Sequence, residues 1–128
     1  MQRRQFLQCG AAAALAASGL VRAQGPWPQK PIRLVVPFPP GGGTDATSRL
    51  IAEKLTTLAR WTLVVDNKPG AGGNIGLDMV AKAAPDGYTI GMGQAANLAI
   101  NPSLYAKMPF DALKDFTPIA SVALQPVV

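Results

Sequence analysis

Short apolar runs rich in β-branched residues alternate along this chain with amphipathic stretches, and glycines and prolines separate the two. The first run covers residues 32–38 and stops at Pro-Pro-Gly-Gly-Gly, after which an amphipathic stretch leads to a second run at 62–65. Another amphipathic stretch then leads to a third run at 88–93. This order predicts βαβ units, and therefore an α/β fold with a parallel sheet and helices on its faces.

Helical spacing predicts which face of each amphipathic stretch packs on the sheet. The residues predicted to face the sheet in the first stretch are Ala46, Leu50, Ile51, Leu55 and Leu58. In the second stretch they are Ile75, Met79, Val80 and Ala83. Asp78 lies four residues before Lys82, which predicts a favourable pair. Short helical turns are predicted around Leu98 and at 111–114, and a fourth strand at 118–128.

The chain contains no histidine, and its single cysteine is Cys9. It therefore cannot supply a histidine-dependent catalytic set, a histidine-bearing zinc site or an internal disulfide. The net charge is +5, but from residue 30 onward the basic residues are scattered singly. A nucleic-acid binder is expected to carry a basic stripe, so we expect no nucleic-acid partner.

Residues 1–23 have the three parts of a secretory signal peptide. A basic segment with Arg3 and Arg4 precedes an apolar run at 10–21, and Ala23 ends a small-residue cleavage motif. The apolar run is shorter than the ~20 residues that span a bilayer, so we expect cleavage after Ala23 and a product in the periplasm that is not embedded in the membrane. The paired arginines fit a twin-arginine signal and an ordinary secretory leader equally well.

Three loops follow the predicted strands, at the edge where open α/β sheets bind ligands. The glycines of the first loop leave backbone amides uncovered at a helix N-terminus, which suits a small anion such as a carboxylate. Thr44 or Asp45 is the predicted N-cap of that helix. The second loop holds Gly72, Gly73 and Asn74, and the third holds Gln94, Ala95 and Asn97. Each loop could instead be a purely structural turn.

No cofactor is predicted from these loops. The first loop cannot be matched to the phosphate-binding pattern G-x-x-x-x-G-K-[ST], and no lysine follows it. The second loop follows a strand and opens a helix, but Ile75 stands where the dinucleotide pattern G-x-G-x-x-G needs glycine. We also expect no bound metal.

The last ten residues form an apolar run with no cap and no polar tail. A finished domain rarely ends in this way, because such an edge would be left unpaired or exposed. We therefore expect the chain to be a fragment.

Ordered motifs resemble a known family. The segments are 27–45 (WPQKPIRLVVPFPPGGGTD), 67–76 (NKPGAGGNIG), 85–89 (PDGYT), 99–105 (AINPSLY) and 113–119 (LKDFTPI). In this order they resemble the Bug-type receptors, the periplasmic solute-binding proteins of tripartite tricarboxylate transporters.

The resemblance implies a two-lobed Venus-flytrap fold that closes on a small carboxylate or related organic solute and passes it to a membrane permease. Residues 24–128 would then be a partial first lobe, with the second lobe missing, so that this chain alone binds weakly or not at all. The implied ligand-binding residues, with those that border the cleft, are Phe38, Pro40, Gly41, Gly42, Gly43, Thr44, Asp45, Gly72, Gly73, Asn74, Gln94, Ala95 and Asn97. Gly41, Gly42 and Thr44 are the expected donors.

Two other functions stay open from the sequence. One is an exported α/β hydrolase that uses Ser48 or Asp45, although the chain shows no histidine base for it. The other is a truncated, non-functional remnant of a receptor. Our prediction is a receptor and not an enzyme.

Overall fold

A buried strand, β1 (Ile32–Val36), lies in the middle of the sheet. The computed structural model describes residues 26–124; the predicted signal peptide, with Cys9, lies outside them, as do residues 125–128. Within the described residues three strands form one parallel sheet, with β2 (Leu63–Asn67) and β3 (Thr89–Gly91) on either side of β1. Leu34 of β1 stands opposite Val65 and Ile90.

Two helices make the crossovers between these strands. α1 (Gly43–Ala59) connects β1 to β2, and α2 (Asn74–Ala81) connects β2 to β3. Because β1 is central, the crossovers run in opposite directions, and right-handed connections then place the helices on opposite faces. Leu34 and Val35 point to opposite faces of β1, and both are buried. The predicted α/β sheet with helices on its faces is confirmed.

The predicted inward face of α1 is wrong at three positions. Ala46 is exposed, Leu50 is 55% exposed and Leu58 is 82% exposed. The buried residues of this helix are Asp45, Ser48 and Ala52. Small side chains let the helix approach the sheet closely, and the polar contacts of Asp45 fix its rotation. Apolar spacing alone therefore predicted the wrong helix phase.

α2 is rotated in a similar way by a glycine. A Cβ on Gly76 would lie 2.8 Å from Pro37 Cα and 2.9 Å from the Lys68 carbonyl oxygen, so the helix packs here against the residues that directly follow β1 and β2. Leu77 is buried beside it, while Ile75, which was predicted to face inward, is about half exposed. The predicted pair is confirmed, with Lys82 Nζ 2.7 Å from an Asp78 carboxylate oxygen.

The chain after β3 contains two short helical segments. A π-helical turn covers Ala96–Ile100, as the sequence predicted near Leu98, and α3 (Asn101–Leu104) follows it directly. At 111–114 there is a single hydrogen-bonded turn, in which the amides of Lys114 and Asp115 donate to the Asp111 carbonyl oxygen, where a helical turn was predicted. No helix among residues 26–124 is both long enough and apolar enough to cross a membrane.

The predicted fourth strand is wrong over its described part. Residues 118–124 have no regular structure, and Ile119 and Leu124 are largely exposed. β-branched residues favour a strand because they pack well on a pleated, half-buried surface. Residues 118–124 pair with no strand of the described sheet, so their β propensity does not produce a strand. Residues 125–128 of this predicted strand lie outside the described residues.

Candidate ligand-binding site

The three loops predicted from the sequence meet at the carboxyl edge of the sheet. The side-chain amide of Gln94 in the third loop donates to Thr44 Oγ in the first loop. In the second loop, a Cβ on Gly73 would lie 2.6 Å from Asn97 Nδ2 and 3.4 Å from the ring of Phe38. One residue of the second loop thus touches residues of both other loops.

The first loop leads into α1 without a side-chain cap. Gly42 is the N-cap, and the helix begins at Gly43, so the prediction of Thr44 or Asp45 as N-cap is wrong. Asp45 is instead the third helical residue, and its carboxylate reaches back to accept a hydrogen bond of 2.9 Å from the Gly41 amide. Within the described chain no side chain caps the first-turn amides, and these amides carry the positive end of the helix dipole.

Asp45 is a buried carboxylate with three donors around it. Arg49 Nε donates to Oδ2 at 3.0 Å, the Gly41 amide donates to the same oxygen, and Asn67 Nδ2 donates to Oδ1 at 2.9 Å. The hydrogen bond from Arg49, then those from Gly41 and Asn67, hold the pKa of Asp45 well below its usual range. Asp45 therefore stays ionised and is committed to shaping the loop.

Two residues that the sequence reasoning missed complete this arrangement. Arg49 Nη2 donates to Asn67 Oδ1 at 3.2 Å, and Asn67 Nδ2 also donates to the Phe38 carbonyl oxygen at 3.1 Å. The i to i+4 spacing of Asp45 and Arg49 was a readable signal for their pairing. The position of Asn67 at the end of β2 was a second, weaker signal that this residue lies near the site.

The second loop is a tight turn that is held by buried amides. Gly73 has a φ of +92°, a left-handed conformation that strains any residue with a Cβ. Asn101 Nδ2 donates to Asn74 Oδ1 at 2.8 Å and to the Gly72 carbonyl oxygen at 3.2 Å. Asn101, which the sequence reasoning did not single out, thus holds both Asn74 and the Gly72 backbone in place. Gly73 is left as the residue of this loop that contacts the other two loops.

Asn97 is the buried residue of the third loop, with 0% of its surface exposed. Its Oδ1 accepts a 2.8 Å hydrogen bond from the Gln94 amide, which holds the Gln94 backbone beside Thr44. Its Nδ2 has no hydrogen-bond partner among the described residues. A buried donor without an acceptor is costly, so this atom is a candidate for a polar contact at the site.

The other predicted site residues are partly or largely exposed to solvent. Phe38 is half-buried beneath the loop, and Thr44 is partly exposed. The exposed residues are Pro40, Gly41, Gly42, Gly43, Gln94 and Ala95. A small anion could reach the first-turn amides of α1 from this side, with the Gln94 amide next to them.

The two side chains considered for a hydrolase, Ser48 and Asp45, are engaged in other hydrogen bonds. Ser48 is fully buried, and its hydroxyl donates to the Thr44 carbonyl oxygen at 2.7 Å within α1. Asp45 is already bonded to three donors. Among the residues that the structure describes, no three His, Cys, Asp or Glu side chains cluster to hold a metal ion.

A shallow depression of about 180 Å³ lies at the other end of the sheet. It is lined by residues next to the amino ends of β1 and β2, including Lys30, Arg60 and Trp61. It contains none of the residues of the three loops. We therefore place the candidate site at the three loops, where the uncapped amides of α1 and the Gln94 side chain converge, and not in this depression.

Comparison with known proteins identifies relatives of this chain. The model of the family described as tripartite tricarboxylate transporter family receptor, TctC, matches residues 47–128. Protein BugT of Bordetella pertussis is 43% identical over 103 residues, which are 80% of this chain and 32% of BugT.

Two solved structures have the same fold as the described chain. MatC from Rhodopseudomonas palustris, solved with bound malate, gives a TM-score of 0.72 at 35% identity, over 75% of this chain and 33% of MatC. An R. palustris protein solved with adipate gives 0.70 at 43% identity, over 73% of this chain and 31% of that protein. The chain thus spans about a third of the length of these relatives. The match over residues 47–128 confirms the resemblance drawn from the ordered motifs, and the chain belongs to the TctC family of tripartite tricarboxylate transporter receptors.

Proposed function

We propose that this chain forms part of the first lobe of an extracytoplasmic receptor, and that it lines one side of the ligand cleft. The receptor captures a small carboxylate for a tripartite tricarboxylate transporter. Membership of the TctC family supports the receptor role. The similar structures solved with malate and adipate support a carboxylate as the ligand class. A membrane permease is the partner that this role requires.

The convergence of the three loops carries the proposal. Gln94 bonds to Thr44 beside the uncapped start of α1, and Asn97 packs against Gly73. Backbone amides at a helix N-terminus bind an anion without a charged side chain, and the side-chain amide of Gln94, held beside them by Thr44, adds a further donor. The same arrangement does not suit a triphosphate, because the ionised Asp45 lies in the first turn of α1.

The chain holds one side of such a site. Receptors of this kind bury their ligand between two lobes, and that burial provides most of the affinity. We propose that residues 24–128 are a partial first lobe and that the predicted site residues of the three loops border the cleft. The chain on its own is then expected to bind weakly or not at all.

Export to the periplasm is part of this proposal. We infer that residues 1–23 are a signal peptide that directs export by either the twin-arginine or the ordinary secretory route and is cleaved after Ala23. Periplasmic fractionation followed by N-terminal sequencing should give Gln24 as the first residue. Replacing Arg3 and Arg4 by lysine stops export by the twin-arginine route and leaves the ordinary route working.

A chimera tests the binding role. This chain would replace the matching third of MatC, and calorimetry would measure malate affinity. We expect binding that is lost in Gly42→Val: Gly42 has an extended backbone, and its nearest Cβ neighbour would be 3.8 Å away, so valine fits but covers the amides. Ala84→Val, an exposed position after α2, is the matched control.

The outcomes separate the functions that the sequence left open. Malate binding that Gly42→Val leaves intact would exclude the first loop as the site. A folded chimera that binds neither malate nor adipate would favour the non-functional remnant. Hydrolysis of generic esters or amides by the chain would favour the enzyme.

A further inference from the structure

Three side chains beneath the first loop form a closed hydrogen-bonded ring, which we call the Asp45 ring. Its members are Asp45, Arg49 and Asn67: Arg49 donates to both other residues, and Asn67 donates to Asp45. The ring holds both ends of the loop, since Asn67 also donates to the Phe38 carbonyl oxygen and Asp45 accepts from the Gly41 amide. The separation of these two loop ends therefore depends on the ring.

The ring also sets the charge beside the candidate site. Asp45 lies in the first turn of α1, near the amides that would hold a ligand carboxylate, and it is buried. Like charges close together repel, and burial reduces the screening by water. Among the described residues, Arg49 is the cation in contact with this carboxylate, with Nε 3.0 Å from Oδ2.

Arg49 is not placed to bind a ligand directly. Its Nε and Nη2 both point to ring partners, and its position one turn after Asp45 puts it behind the uncapped helix start. Its side chain is 55% exposed, so the ion pair is partly solvated. The contact through which Arg49 reaches the first turn of α1 is its ion pair with Asp45.

We propose that Arg49 is a positioning residue for anion binding: it holds and neutralises Asp45, so that the first loop accepts a carboxylate that Asp45 alone would repel. This inference rests on the proposed function. It adds a residue outside the predicted site, and it gives the ion pair a role in affinity beyond that of fixing the fold.

Four proteins test the inference in the MatC chimera: the parent, Arg49→Gln, Arg49→Lys and Lys54→Gln. Lys54 is an exposed cation on the same helix, so its substitution makes the same change in charge away from the ring. Malate affinity would be measured by calorimetry at low and high salt. In parallel, NMR on the full 128-residue chain would follow the titration of the Asp45 carboxyl group and the chemical shift of the Gly41 amide.

We expect Arg49→Gln to bind malate about fivefold more weakly than the parent at low salt, the size of effect of a partly exposed ion pair. The deficit should shrink to within about twofold at ~1 M salt, where the Debye length is ~3 Å. Arg49→Lys should keep most of the affinity, and Lys54→Gln should match the parent. In the free chain, Arg49→Gln should raise the pH at which Asp45 titrates and shift the Gly41 amide.

Each contrary result is distinct. Parental affinity in Arg49→Gln, an equal deficit at both salt concentrations, or an equal deficit in Lys54→Gln would overturn the inference while leaving carboxylate binding intact. An unchanged Asp45 titration in Arg49→Gln would overturn it without any ligand measurement. If the folded parent chimera binds no malate, the proposed function fails, and the inference fails with it.

Discussion

The side-chain amide of Asn97 occupies the space that a Cβ on Gly73 would need, with 2.6 Å between Nδ2 and that position. Asn97 is fully buried and its Oδ1 is bonded to the Gln94 amide, so it cannot easily move aside. The contact joins the second and third loops across the carboxyl edge of the sheet. It is the most direct sign that these loops form one site.

Gly73→Ala should destabilise the chain for this reason. Alanine would meet Asn97 and would also adopt a left-handed backbone conformation, which together should cost about 1–3 kcal/mol of unfolding free energy. Gly43→Ala is the matched control, because a Cβ there meets nothing within 4 Å and should change stability by less than about 1 kcal/mol. Urea unfolding would compare the two variants. Equal stabilities would show that the two loops are not in contact.

Thr44→Val should weaken carboxylate binding with little effect on stability. Valine has nearly the same shape but cannot accept the hydrogen bond from Gln94, whose side chain would then no longer be held at the helix start. The loss of about 1 kcal/mol corresponds to roughly fivefold in malate affinity of the chimera. Thr47→Val removes a comparable hydroxyl on the same helix, one bonded to the Gly43 carbonyl oxygen, and should bind normally. Equal effects of the two substitutions would exclude a specific role for Thr44.

The ionised Asp45 should make stability fall in acid. Arg49, the Gly41 amide and Asn67 lower its pKa in the folded state, so the folded chain binds a proton at Asp45 less readily than the unfolded chain. This contribution is fully present above the ordinary aspartate pKa of ~3.9 and is lost as the pH falls below it toward the folded-state value. Asp45→Asn should therefore be less stable than the parent at pH 7 and should lose less stability between pH 5 and pH 2.

Two other carboxyl groups keep part of the acid dependence in that variant. The pKa of Asp111 is lowered by its hydrogen bond from Lys114. Burial raises the pKa of Asp66, but hydrogen bonds and charge from Arg33 and Lys68 outweigh it and lower the pKa overall. The difference between parent and Asp45→Asn at each pH isolates Asp45, and an identical acid slope in both would contradict its assignment.

Leu77→Ala and Leu58→Ala test the rotation of the helices. Leu77 is buried against β3, and a buried leucine replaced by alanine costs about 2–5 kcal/mol. Leu58 lies on the apolar face that spacing predicted to be inward, but it is largely exposed, so its loss should change stability by less than about 0.5 kcal/mol. A larger loss at Leu58 than at Leu77 in urea unfolding would show that the apolar stripe of α1 does face the sheet.

The sequence was sufficient for the parts of the fold that depend on local chemistry. The β-branched run at 32–36 forms the central strand, and the glycines after it form the turn into α1. It was insufficient where neighbours in space decide the outcome. The rotation of α1 follows from the contacts of Asp45 and Arg49 with Asn67 of β2, and no apolar spacing encodes those contacts.

The site was predictable as three loops but not as a set of contacts. Each loop was found because it follows a strand and is rich in glycine or side-chain amides. That Asn97 is buried against Gly73, and that Gln94 bonds to Thr44, depends on how residues far apart in the chain come together. Arg49 and Asn67 were missed because both resemble ordinary surface residues until the ring is seen.

The position of a bound carboxylate tests the central claim most directly. A crystal structure of the MatC chimera grown with malate should show one ligand carboxylate within hydrogen-bond distance, ~2.7–3.2 Å, of the backbone amides of Gly42, Gly43 or Thr44. Gln94 or Asn97 should lie beside it. Malate bound away from all three loops, or a folded chimera without malate at a concentration that saturates MatC, would contradict the account.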